Sequence, residues 1–170
     1  MGLRALVGIE RAGGTYEARH VQYDGCPTVM VPALSTLVHD RADRDPLAAV
    51  AHLLSSDWRY MHVLPGGELV GEPMDTSGGP EIGRLDDPAG DREWAYLIGG
   101  HRLHVYIGMF PEEGSKRWWP WACWSLRELP VLPVDEVLAV QRNGYATQWQ
   151  ASQFRTYMSA VRDALREEMR

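Results

Sequence analysis

A thiol, an imidazole and a carboxylate fall within one short segment, His20-Val21-Gln22-Tyr23-Asp24-Gly25-Cys26. These are the parts of a nucleophilic site: sulfur to attack, imidazole to take its proton, carboxylate to orient the ring. The spacing works against them. On an extended strand His20 and Asp24 share a face, whereas Cys26 lies beyond Gly25 and directly before Pro27, in a segment that reads as a turn. Cys26 therefore reads first as a small semi-buried side chain. A cysteine-dependent hydrolase or transferase built on Cys26, His20 and Asp24 remains the alternative.

The other titratable residues form no recognisable motif. His101 and His104, three apart, would share a helix face, but a strand turns them to opposite sides. His39, His52 and His62 belong to separate segments, and no spacing matches a zinc site. Asp86-Asp87 followed by Gly90-Asp91 lacks the alternating ligand order of an EF-hand. No metal and no cofactor is expected. Lys116 is the single lysine among 17 basic residues, and Gly114-Ser115-Lys116-Arg117 lacks the earlier glycine of a phosphate-binding loop. Phosphate-loop and Schiff-base chemistry are set aside accordingly.

Aromatic residues carry more information. Of seven tryptophans, Trp118, Trp119, Trp121 and Trp124 crowd one segment. By strand parity Trp119 and Trp121 share one face, Trp118 and Trp124 the other. Both faces of that strand then need cover, from the core and from a helix, a partner chain or a flat ligand. Pro120 cannot donate to a ladder and marks an edge strand or a bulge. Arg19 shares a strand face with Tyr23, and Arg102 flanks a Gly-Gly turn. Arginine beside aromatics suits a small anionic ligand, and Arg19, Tyr23, Trp94 and Tyr96 are the candidate contacts.

The elements that would position these residues follow from periodicity. At 170 residues the chain fits one domain. Leu3 to Ile9 alternates, Ala12-Gly13-Gly14 turns, and Tyr16 to Tyr23 returns as a second strand. Helices are expected over Val31–His39 and from Asp45, which caps, with Pro46 at the first position and Leu47, Val50, Ala51 and Leu54 inward. Trp58–Leu64 is a strand or a loop entry. Residues 66–92 read as a long acidic loop, with seven carboxylates between Glu72 and Glu93 against Arg84 and Arg92. Trp94–Ile98, Gly99-Gly100 and His101–Phe110 form a hairpin. Leu103, Val105, Ile107 and Met109 make one face, and His104, Tyr106 and Phe110 the other. A short helix or turn over Val134–Gln141 follows, then a capped amphipathic helix from Thr147 through Phe154, Met158, Val161 and Leu165. The sum is a single α+β domain, a mostly antiparallel sheet with helices on one face.

Composition narrows the partners. A net charge of −6 argues against nucleic acid, which basic surfaces bind. No segment is long and apolar enough for a bilayer, and two cysteines are too few for a disulfide framework, so a cytoplasmic protein with free thiols is expected.

The N-terminal hairpin running into Tyr23-Asp24-Gly25-Cys26-Pro27, with the later Glu93-Trp94-Ala95-Tyr96, resembles a group of uncharacterised proteins of actinobacteria and their phages whose motif reads Tyr-Asp-Gly-Tyr-Pro. The likeness covers residues 4–38 and 93–107, and Cys26 stands where the second tyrosine is usual. The resemblance implies an accessory, mobile-element-borne (anti-defence-like) role and no mechanism. Residue chemistry and resemblance together give a non-enzymatic binding protein that sequesters a protein partner or a small anionic ligand. A homodimeric structural or regulatory module closed by the tryptophan-rich strand is a further alternative, and a homodimer is expected.

Overall fold

The computed structural model describes residues 3–75, 78–110 and 114–129. Strands β1 (Ala5–Arg11) and β2 (Thr15–Val21) form the expected N-terminal hairpin. Its turn places Gly13 and Gly14 at φ of 76° and 69°, where a side chain would be strained. Helix α1 (Pro27–Thr36) begins four residues before the sequence reading, because Pro27 takes the first helical position and Pro32 falls inside. The chain widens into a π turn over Leu37–Arg41. Helix α2 (Pro46–Leu54) is capped as expected, with the Asp45 carboxylate accepting from the Leu47 amide at 2.9 Å. Its buried side is Ala49, Val50 and Leu53, and Leu47 points to solvent, 71% exposed.

Six further strands complete an eight-stranded sheet: β3 (Asp57–Val63), β4 (Leu69–Met74), β5 (Glu81–Arg84), β6 (Trp94–Gly99), β7 (Arg102–Met109) and β8 (Arg117–Ser125). Their order is β4-β3-β2-β1-β6-β7-β8, with β5 paired to β2 beside β3. Segment 66–92 is therefore not one loop: it contains β4 and β5. Most pairings are antiparallel, but β1–β6 and β2–β3 are parallel. The parallel β2–β3 pair requires a crossover, which α1 and α2 supply. The β6–β7 hairpin turns on Gly100-His101, one residue later than the Gly-Gly pair. Only Gly100 has positive φ (61°), the pattern of a type II′ turn. The two helices expected after Val134 lie outside the described residues.

The main core lies between the sheet and the helices. Val7, Met30, Leu34, Leu53, Met61, Trp94, Tyr96, Leu103, Val105 and Trp121 meet there. A smaller apolar cluster covers the opposite sheet face: Leu6, Tyr16, Ala18, Ala95, Leu97, Tyr106 and Trp118, roofed by Ala89. The β7–β8 register shifts between Val105 and Tyr106, leaving Trp121 as the extra residue of a bulge. That bulge resets the parity. Trp119, Trp121 and Trp124 all pack toward the main core, and Trp118 alone serves the other face.

Three strand margins are partly blocked to further pairing. On β4 the Arg41 guanidinium takes the outward Leu69 carbonyl, and Pro73 has no amide to offer. On β5 the Gly14–Leu85 bond sets the phase, so Ile82 and Arg84 face outward. Asp87 then binds Arg84 through both its carboxylate and its amide. On β8 the Lys116 carbonyl accepts from Ala89. Alternation puts Pro120 outward too, where no ladder bond is lost.

Candidate functional site

Among the described residues, the sheet face away from α1 and α2 gathers many half-buried polar side chains. A lateral row crosses it from Glu81 through Ala18, Gly8 and Leu97 to His104 and Cys123, each the direct cross-strand neighbour of the next. Two carboxylates organise the row's surroundings. Their strands lie two apart, about 10 Å.

Glu81 accepts from the Tyr16 hydroxyl at 3.0 Å and from Arg92, and faces His20 Nε2 at 3.1 Å. The hydrogen bond from His20, then the nearby Arg92 charge and the Tyr16 hydroxyl, hold its carboxyl below the usual range against the opposing effect of burial. Burial and the Glu81 charge push Tyr16 up to about 12. The Tyr16 ring lies over Gly83, where any Cβ would meet it.

Glu10 forms the second centre. The Tyr106 hydroxyl donates to Glu10 Oε2 at 2.8 Å, and His104 Nδ1 stands 3.5 Å from the same oxygen. Burial, then Glu10, raises Tyr106 as well. Both tyrosines are thus protonated donors at neutral pH. The far side of His104 faces Cys123, with Nε2 4.0 Å from Sγ, and the Arg102 Nε–H donates to that sulfur at 3.0 Å. Lys116, beside Glu93 at 4.0 Å, is lowered by burial.

The residues singled out in the sequence do not converge. His20 faces Glu81, Asp24 pairs with His62 at 3.0 Å, and Cys26 is buried with Sγ 3.2 Å from the Thr28 hydroxyl. Asp24 lies past the end of β2 with φ of 57°, so strand parity does not carry it onto the face of His20. Arg19 is buried, donating to the Leu54 and Gly78 carbonyls at 3.1 and 2.7 Å, with Asp57 at 3.9 Å. Trp94 and Tyr96 sit in the core, and the Tyr96 hydroxyl donates to the Gly25 carbonyl. Tyr23 alone of that set is exposed. Of the tryptophans, Trp118 and Trp121 are buried, and Trp119 and Trp124 part-buried.

Glu10, Glu81, Arg92 and the Cys123–His104 pair were missed by the sequence reading. Strand parity put His104 and Tyr106 on one face; pairing His104 with Cys123 needs the β7–β8 register, which the bulge shifts. Among the described residues no group of three or more His, Cys, Asp or Glu side chains is placed to hold a metal ion. No described helix is long and apolar enough to cross a membrane.

Comparison of the chain with protein-family models, with curated proteins and with solved structures finds no match.

Proposed function

We propose that this chain is a non-enzymatic binding protein that holds a protein partner at the β8 margin of its sheet, in an accessory role. The observation that carries the reading is the aromatic margin itself. Trp119 and Trp124 stay part-covered while Trp121 between them is anchored in the core, edge-on to Trp94 and Trp124. Part-covered indoles on a rigid strand are what protein interfaces concentrate. The separate engagements of His20, Asp24 and Cys26 favour binding over turnover. The full engagement of Arg19 by the Leu54 and Gly78 carbonyls and by Asp57 favours a protein partner over a small anion at Arg19 and Tyr23.

A second copy of this chain is the first candidate partner, since symmetric dimers are the commonest assemblies. Light scattering of the full chain is expected to give a dimer that Trp124→Ala converts to monomer with its circular dichroism preserved. A monomer that hydrolyses an ester or phosphodiester panel, with the activity abolished in Cys26→Ser, would replace this reading with the cysteine-dependent enzyme.

A further inference from the structure

We propose that Cys123 is a thiol–disulfide exchange site for low-molecular-weight disulfides that carry carboxylates. Two neighbours converge on its sulfur from the exposed side of the sheet, and a third orients one of them. Arg102 donates its Nε–H to Sγ at 3.0 Å, His104 Nε2 stands at 4.0 Å, and Glu10 holds the other ring nitrogen at 3.5 Å. With Nδ1 turned to the carboxylate, Nε2 is the nitrogen that meets the sulfur. Gly99 makes room for the ring: a Cβ there would come within 3.3 Å of His104 Nε2. Glu10 is in turn fixed by the Tyr106 hydroxyl at 2.8 Å. This is a nucleophile, a base and an orienting acid in sequence, with a cation added beside the sulfur.

Exposure separates the two thiols. Cys123 is exposed and Cys26 is buried, so a reagent as bulky as a disulfide reaches only the first. The Arg102 contact to sulfur uses Nε, and its terminal nitrogens have no ion pair among the described residues. They are placed to receive a carboxylate of the incoming molecule.

In the exchange, His104 Nε2 takes the Cys123 proton and the sulfur attacks one sulfur of the disulfide. The new Sγ–S bond forms as the old S–S bond breaks. The departing thiolate leaves with the electron pair and collects the proton from His104. Cys123 is oxidised to a mixed disulfide, and half of the reagent is reduced to free thiol. Cys123 and Trp124 point to opposite faces of β8, so the site stands apart from whatever the tryptophans bind.

The test uses the reduced full chain with glutathione disulfide (anionic) and, separately, cystamine (cationic), with adducts located by peptide mass. Cys123 is expected to carry the adduct and Cys26 to stay free. His104→Gln is expected to slow both reagents. Arg102→Gln is expected to slow glutathione disulfide relative to cystamine by about two- to fivefold, the factor one exposed ion pair supplies. Equal labelling of Cys26 and Cys123, or unchanged rates in His104→Gln, would overturn the site. Equal rates of the two reagents in wild type and Arg102→Gln alike would overturn the carboxylate preference. Arg102 is exposed and His104 part-buried, so both variants are expected to keep the fold, which circular dichroism checks.

Discussion

Replacing Glu81 by Gln tests whether the polar centre on the sheet face away from α1 and α2 stabilises the fold. The carboxylate takes Tyr16 and Arg92 as donors and His20 as a third neighbour, and its side chain is 26% exposed. Hydrogen bonds to a charged group contribute about 1.5–3 kcal/mol each when shielded. Glutamine keeps one acceptor oxygen, and solvent screens part of the charge, so the expected loss is about 1.5–2 kcal/mol. For a chain of this size that is a fall of roughly 3–8 °C in Tm.

The pH dependence supplies the sharper readout. Glu81 titrates below its ordinary value of 4.5 in the folded protein. Its contribution is therefore fully present above that value and is lost as pH falls through the folded value, because the unfolded chain binds the proton first. Urea unfolding followed by tryptophan fluorescence should separate wild type and Glu81→Gln at neutral pH, and the two curves should converge on the acid side of pH 4.5. A gap that persists unchanged into acid, or equal stability at neutral pH, would refute the assignment of that stability to the ionised carboxylate.

Two further outcomes follow from the helix side of the sheet. Tyr96→Phe removes the donor to the buried Gly25 carbonyl, 2.9 Å away, and should cost about 1–2 kcal/mol in urea unfolding. Asp45→Ala removes the side-chain cap of α2 and should cost about 1 kcal/mol in the same assay.

The local signals in the sequence located the two hairpins, the Asp45–Pro46 helix start and the inward face of β7, because turn residues and alternation act over a few positions. Elements defined by distant partners were not legible. Glu81–Arg84 is too short to show a period and becomes a strand only against β2. Leu69–Met74 contains Gly71 and Pro73, which read as loop punctuation but sit comfortably on an edge. The pairing of β1 with β6 joins segments more than eighty residues apart, and nothing local announces it. The site was obscured for the same reason. Glu10 was read only as part of an alternation, and its role comes from Tyr106 reaching across β6. The face assigned to Trp124 came out reversed because one bulged residue, Trp121, inverts everything after it.

The partly blocked margins of the sheet have an evolutionary consequence. A protein that recruits others by lending them a strand recognises backbone, which every sequence carries, and point substitutions alter its choice of partner little. Here Arg41, Pro73, Asp87 and Pro120 withhold parts of the backbone, so a partner of the kind proposed would be recognised through side chains standing on the surface. Each of those can be exchanged without disturbing the ladder beneath. A fold of this kind can drift from one partner to another by single substitutions, keeping its scaffold while its specificity changes.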